Sequence, residues 1–159
     1  MERVPDCGAA EQARRIRLAT ARLCLRLGWA PLHEVALPNG RRADILALRG
    51  DGGFACIEVK SGPRDFLTDA KWPEYRDFAD ALYFAVADNF PLDLLPPETG
   101  LIVAAGLEAE LIRPAPGHAL APARRRALLR RFAWLAAARL SAVEDPAGAA
   151  DLRGALRAE

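Results

Sequence analysis

Two neighbouring runs in the first half of the chain, 42–46 and 57–60, combine strand-forming apolar residues with charged ones. Asp44 lies in the first run, and Glu58 and Lys60 lie in the second. An ionised carboxylate in an apolar sheet is costly unless a metal ion, a cation or hydrogen bonds compensate its charge. Two carboxylates and a lysine on adjoining strands therefore indicate a functional site.

The spacing of the two runs decides whether these side chains can meet. Side chains alternate along a strand, so Glu58 and Lys60 share one face of theirs. The linker 49–53 suits a hairpin with an odd-numbered loop, for instance three residues with Gly52 in the left-handed conformation. That register places Asp44 opposite Glu58, whereas an even-numbered loop would put them on different faces.

Bulk properties favour one globular domain. With 159 residues and 52% hydrophobic content, we expect a single domain over 1–159, an ordered core at about 10–145 and a loose C-terminal tail. The apolar runs are too short for a membrane span, and the N-terminus lacks a signal-peptide pattern, which predicts a cytoplasmic protein with no membrane partner. Three cysteines without a CxxC pair and two histidines argue against a disulfide framework or a zinc site.

Charge is distributed unevenly, although the net charge is only +1. Between Asp44 and Glu98 there are eleven acidic and five basic residues, while segments 14–26 and 124–139 hold five and six arginines and no acid. The basic segments are either solvated helix faces or walls that meet phosphate beside a metal-loaded centre.

The hydrophobic pattern predicts a chain of helices and strands, as in an α/β fold. We expect helices over 10–28, 64–78 and 122–143, the second interrupted at Pro73, which belongs in the first turn of a new helical piece. The expected strands are 31–37, the two runs around Asp44 and Glu58, 81–87, 101–105 and 109–112.

Glu34 depends on the turn that follows the first strand. Asn39-Gly40 is a strong signal for a two-residue hairpin turn. With that turn Val35 faces Asp44 and Glu34 falls on the other face. A one-residue bulge would reverse this, so Glu34 is retained as a further candidate metal ligand.

The pattern D…ExK on such a strand pair resembles the PD-(D/E)XK nuclease superfamily. Asp44 takes the first acidic position and Glu58-Val59-Lys60 the E-x-K; the departure is that Ala43, and not proline, precedes the aspartate. The resemblance implies a restriction-endonuclease-like α/β core, in which a mixed central sheet with a three-strand antiparallel meander is flanked by helices.

Longer runs are similar to the MmcB-like bacterial DNA repair proteins, over roughly residues 10–145. The most specific run is Lys71-Trp72-Pro73-Glu74-Tyr75-Arg76-Asp77. This resemblance implies a role in DNA repair and a nuclease fold, but it does not by itself establish activity. The other similar runs are 34–37, 41–44, 57–61, 65–66, 84–86, 112–116 and 123–128.

Two opposed carboxylates suit Mg²⁺ or Mn²⁺, which prefer oxygen ligands and keep several waters. Asp44 and Glu58 would be the ligands, with the backbone carbonyl of Val59 as a third. Lys60 would orient or help deprotonate the attacking water and offset charge in the transition state of phosphodiester hydrolysis. The alternative is an ion pair of Lys60 with Asp44 or Glu58 that needs no metal.

Only two of the 22 basic residues are lysines, Lys60 and Lys71. Because lysine is a compact, titratable point charge, its retention in an arginine-rich chain points to a role for each. Lys71 precedes Tyr75 by one helical turn, which resembles the Gln-x-x-x-Tyr pair of some related nucleases. We expect Lys71, Tyr75 and Arg42 to contact the nucleic-acid backbone; the alternative for the pair is a surface lysine and a half-buried tyrosine.

Three hypotheses follow from the residues and the resemblance. The first is a metal-dependent DNA endonuclease or nickase acting in repair. The second is a catalytically inactive DNA-binding module of the same fold that positions repair proteins. The third is a metal-dependent enzyme acting on a small phosphorylated substrate.

Overall fold

The computed structural model describes residues 7–149. The N-terminal run and most of the C-terminal tail expected to be loose lie outside this range. The chain divides into two compact units, Met1–Leu120 and Ala121–Glu159. In the second unit the described part is mainly α3, Pro122–Glu144. The first unit contains α1 (Cys7–Arg26), β1 (Ala30–Ala36), β2 (Arg42–Leu48), β3 (Phe54–Lys60), α2 (Pro63–Thr68), a 3₁₀ helix (Trp72–Phe78), β4 (Ala81–Ala87), a short 3₁₀ turn (Leu92–Leu94), β5 (Gly100–Ala105) and β6 (Glu108–Arg113).

The six strands form one sheet in the order β1-β2-β3-β4-β5-β6. β1, β2 and β3 are an antiparallel meander, β3, β4 and β5 are parallel, and β6 returns antiparallel to β5. The change to parallel pairing after β3 requires a long crossover, which α2 and the 3₁₀ helix supply. The predicted α/β fold with a mixed sheet and an antiparallel meander is confirmed.

α1 covers one face of the sheet. Its residues Ile16, Ala19 and Leu23 are buried at helical spacing and share a core with alternate residues of the strands, among them Ile45 and Ile57. On the other face, a second cluster is built from β4, β5 and the connecting segments. It contains Phe84, Val86, Phe90, Leu95 and Leu101, with Phe66, Trp72 and Val103 packed against it.

The hairpin between β2 and β3 has the predicted odd-numbered loop. Arg49 N donates to Gly53 O at 2.8 Å, which leaves a loop of three residues, 50–52. Gly52 has φ +82°, the left-handed conformation that glycine adopts without strain. Ile45 consequently pairs with Ile57, and Asp44 and Glu58 follow as the next opposed positions.

The hairpin between β1 and β2 differs from the prediction of a two-residue turn. Leu37 N donates to Arg41 O at 2.7 Å, so the loop is Pro38-Asn39-Gly40. A two-residue type I′ turn needs positive φ at both central residues, and in this loop only Gly40 has it. Val35 therefore pairs with Ala43 instead of facing Asp44.

The three-residue loop also changes the face of the strand on which Glu34 lies. With Val35 opposite Ala43 and His33 opposite Ile45, Glu34 lies across from Asp44. The prediction that Glu34 faces away was wrong because a single extra loop residue exchanges the two faces of a strand. Glu34 also has φ +49°, which is unusual for a residue with a side chain of this size.

The segment 63–78 is divided as expected. α2 ends at Thr68, and Pro73 lies in the first turn of the 3₁₀ helix that begins at Trp72. In α3, Leu128 and Phe132 are buried, but Leu129 and Leu140 are exposed. Among the described residues, no helix combines the length and apolar character that crossing a bilayer requires.

Candidate active site

An open cleft of about 870 Å³ lies where β2 and β3 separate beyond the Ile45–Ile57 pair. It gathers residues from α1, the first three strands, α2 and the 3₁₀ helix. Every residue for which the sequence predicted a site role lines this one cleft: Glu34, Arg42, Asp44, Glu58, Val59, Lys60, Lys71 and Tyr75.

The two carboxylates take the place of missing backbone partners where the strands separate. Val59 N donates to Asp44 Oδ2 at 2.8 Å. In the opposite direction, Asp44 N donates to Glu58 Oε1 at 3.3 Å. Each acid thus accepts a backbone N–H from the other strand, which holds both side chains in fixed positions at the floor of the cleft.

Burial makes these acids hard to ionise. Desolvation is the main cause that raises the pKa of Glu58 to about 8, and repulsion from Asp44 adds to it. Desolvation also raises the pKa of Asp44, although the Val59 N–H and the positive charges of Lys60 and Arg17 act against it. Two such carboxyls that repel each other are a site that a divalent cation would stabilise in the ionised form.

Lys60 forms its ion pair with a residue that the sequence analysis did not single out. Its Nζ is 2.5 Å from Asp69 Oδ2, and the lysine side chain is only 6% exposed. Burial would raise the pKa of Asp69, but hydrogen bonds from Lys60 Nζ and Lys71 N outweigh that effect and lower it. The ion pair proposed as an alternative, between Lys60 and Asp44 or Glu58, is therefore replaced by one with Asp69.

Lys71 and Tyr75 both reach the cleft although Pro73 lies between them. Lys71 precedes the 3₁₀ helix and is exposed. Tyr75 is 8% exposed and donates its hydroxyl hydrogen to Arg42 O at 3.1 Å. Burial raises the pKa of Tyr75, with further contributions from Glu58 and other anionic groups nearby. The tyrosine thus anchors the start of β2 to the 3₁₀ helix.

Arginines paired with glutamates form the mouth of the cleft. Arg17 Nη1 lies 3.3 Å from Glu34 Oε1, and Arg42 Nη2 lies 3.9 Å from the same oxygen. Arg41 Nε donates to Glu74 Oε2 at 2.6 Å. The carboxylate of Glu34 is thus paired with both Arg17 and Arg42.

The oxygen atoms available in the cleft fit a hard divalent cation that is bound by few protein ligands. Among residues 7–149, no three His, Cys, Asp or Glu side chains are grouped as a metal site. Asp44 and Glu58 would therefore need the Val59 carbonyl and waters to complete the coordination shell. Mg²⁺ is commonly bound in this way, through one or two carboxylates and several retained waters.

Asp69 and Arg17 are two of the cleft residues that were not singled out from the sequence. Arg17 was visible only as one of five arginines on a helix. Asp69 is nine residues beyond Lys60, a spacing that matches no secondary-structure period. The crossover after β3 brings it back to the strand end, and this return could be inferred only from the tertiary fold.

The fold and the cleft define a mixed α/β protein in which a buried glutamate and a half-buried aspartate lie beside a lysine where two strands separate. The chain belongs to the MmcB-like family of DNA repair proteins, whose family model matches residues 1–147. It is also similar to a solved structure, the SPO1766 protein of unknown function from Silicibacter pomeroyi, with 40% identity and a TM-score of 0.81 over 86% of this chain and 94% of that one. No curated protein matches. Membership of the family supports a role in DNA repair and implies interaction with DNA.

Proposed function

We propose that the protein is a Mg²⁺- or Mn²⁺-dependent DNA endonuclease or nickase that hydrolyses phosphodiester bonds during repair. The observation that supports this best is the convergence of Asp44, Glu58 and Lys60 in one cleft of a chain that belongs to a DNA repair family. Carboxylates combined with a lysine form a set that can hold a divalent ion and a water beside a phosphate.

The chain's own residues would divide the work as follows. Asp44, Glu58 and the Val59 carbonyl would hold the ion, which would supply Lewis acidity to the scissile phosphate and lower the pKa of the attacking water. Lys60 would orient that water and offset negative charge as it develops on the phosphate oxygens. Asp69 limits the positions that Nζ of Lys60 can take, because the two groups lie 2.5 Å apart.

The DNA backbone would be held by Lys71 and Arg42, which are exposed at the cleft. Because the Tyr75 hydroxyl is bonded to Arg42 O, Tyr75 would act by fixing the position of Arg42. Contacts to phosphates position a duplex and carry most of its salt-sensitive affinity.

One observation favours the second hypothesis, a DNA-binding module without turnover. The carboxylates of Asp44 and Glu58 already accept backbone N–H groups from the neighbouring strand. Since this arrangement satisfies the strand ends without a metal, the pair could serve structure alone.

Cleavage assays on a panel of nicked, branched and damaged DNA separate the two functions. We expect cutting of at least one substrate with Mg²⁺ or Mn²⁺ and none with chelator. Asp44→Asn and Lys60→Ala should each lower the rate by about 100-fold or more. Asp93→Asn is a matched control on an exposed acid that does not line the cleft.

The opposite result would be DNA binding without cleavage under every metal condition. In that case the module replaces the nuclease as the function of the cleft. Binding that weakens steeply with salt would argue against the third hypothesis, a small phosphorylated substrate, because contact with a DNA polymer releases many counterions.

A further inference from the structure

Two guanidinium groups converge on one carboxylate oxygen at the mouth of the cleft. Arg17 Nη1 and Arg42 Nη2 are 3.3 Å and 3.9 Å from Glu34 Oε1. The two arginines come from different elements, α1 and the first residue of β2, so no local helical spacing explains the pairing. Arginine guanidinium groups bind phosphate as well as carboxylate, so two arginines that meet at one anionic oxygen can also hold a phosphate.

Arg17 retains binding capacity that Glu34 does not use. Its Nε is buried and has no hydrogen-bond partner within the part of the chain that the structure describes. The side chain is 25% exposed, and it lines the same cleft as Asp44. A buried donor without a partner is uncommon and calls for an acceptor. A phosphate presents more acceptor oxygens than a carboxylate and could engage both edges of the guanidinium.

Glu34 is placed so that it can be displaced. Its side chain is 51% exposed and that of Arg42 is 68% exposed, so the ion pairs lie at the solvent side of the cleft, where such pairs are weak. The three-residue loop of the first hairpin brings Glu34 opposite Asp44.

We propose that Arg17 and Arg42 form a binding subsite for a DNA backbone phosphate, which the carboxylate of Glu34 occupies until DNA displaces it. The proposal rests on the proposed function and deepens it by naming the groups that hold the strand beside the carboxylate pair. The Glu34 carboxylate would compete with DNA for the two arginines. It would thereby keep the two arginines in place while weakening the binding of other anions.

The test is DNA binding measured in chelator across a range of salt concentrations, with no cleavage possible. Glu34→Gln keeps the size of the side chain and removes the competing charge. We expect its affinity at about 50 mM salt to rise roughly threefold to tenfold, because the positive charges of Arg17 and Arg42 are no longer paired with a carboxylate. Glu108→Gln is the matched control, since Glu108 pairs with Arg26 and neither residue lines the cleft.

Variants of Arg17 test the other partner. Arg17→Gln should reduce the slope of log affinity against log salt by about one, the value expected for one lost phosphate contact. Arg15→Ala, on the same helix but outside the cleft, should leave the slope unchanged. Arg17→Lys should keep the slope and lose part of the affinity, because a lysine keeps the charge but not the fork of donors. In the double variant with Arg17→Gln, Glu34→Gln should raise the affinity for DNA much less than it does alone.

The subsite would be overturned if Glu34→Gln bound DNA no more tightly than the unaltered protein, or if the slope for Arg17→Gln equalled that for Arg15→Ala. A response seen only with a deoxynucleoside monophosphate, and not with DNA, would also overturn it. Melting curves check that each variant is folded. Because binding is measured without metal, these results are independent of the cleavage assay: the subsite can stand if no substrate is cut, and it can fail in an active nuclease.

Discussion

Burial and the binding of a cation place conflicting requirements on the Glu58 side chain. Its carboxyl is buried, with 4% of the residue exposed, and accepts Asp44 N. Burial favours the protonated acid, whereas binding a cation requires the carboxylate. The pKa of about 8 reflects this conflict in the metal-free protein. A residue chosen for stability alone would be apolar here, as its neighbours Ile57 and Val59 are.

The raised pKa of Glu58 predicts that the metal-free protein is less stable at higher pH. Between the ordinary value of 4.5 and about 8, the folded chain holds a proton that the unfolded chain has lost. This contribution to stability is therefore complete below pH 4.5 and is lost as the pH rises through 8. The free energy of unfolding should fall by roughly 1.4 kcal/mol per pH unit in that window from this group alone.

Urea unfolding in chelator at several pH values between 5 and 8 measures the effect. Glu58→Gln, which cannot ionise, should show a flatter dependence of the unfolding free energy on pH. The exposed acid of Glu110 provides the control Glu110→Gln, which should follow the unaltered protein. Equal slopes for Glu58→Gln and the unaltered protein would mean that Glu58 is not the titrating group.

Among the elements, the two hairpins decide which side chains enter the cleft. Both turns have three residues and end on a glycine in the left-handed conformation, Gly40 and Gly52. Because side chains alternate along a strand, a change of one residue in either loop would turn a whole strand face over. The second hairpin brings Asp44 opposite Glu58, and the first adds Glu34 to the same cleft.

Gly52→Ala should therefore destabilise the protein while Gly50→Ala should not. Gly52 has φ +82°, and an alanine there costs about 1–2 kcal/mol. Gly50 lies in the same loop without a positive φ, and a Cβ at either position meets no atom within 4 Å. Thermal or urea unfolding of the two variants isolates the backbone effect. A similar loss in both would indicate that the loop tolerates no side chain, whatever its conformation.

On the scale of the whole molecule, the cleft is assembled from segments that are distant in the sequence. Arg14 and Arg17 of the first basic segment line it, beside the acidic centre. Arg26 of the same segment instead bonds Glu108 and Ala109 O, which fastens the end of α1 to β6. The arginines of α1 thus both line the cleft and attach the helix to the sheet. The arginines between 124 and 139 remain candidates for contact with phosphate.

The single domain predicted from the sequence can be tested by calorimetry of the full chain. The unit Ala121–Glu159 has 39 residues, and its described part is mainly α3, so it is too small to bury a core of its own. We expect one cooperative transition whose calorimetric and van't Hoff enthalpies agree. Two resolved transitions would show that the units unfold independently.

Local patterns were sufficient for most of the fold. The strand at 81–87 was recognisable as a continuous apolar run, and all but the last of its residues are buried. Pro73 marked the break in the helical segment because its ring cannot continue a helix. Composition and spacing could not set the size of the first hairpin loop. That loop depended on whether Asn39 adopts positive φ, and in the structure Asn39 Oδ1 instead accepts Arg41 N, while Nδ2 donates to Glu74 O.

The sequence by itself determined that Asp44, Glu58 and Lys60 would meet, because strand alternation and a short loop are local constraints. Only the tertiary structure decided what surrounds them. Lys60 is paired with Asp69, and Glu34 lies between Arg17 and Arg42. These partners are joined by the crossover after β3 and by the packing of α1 on the sheet, and both bring together residues whose separation along the chain follows no periodic rule.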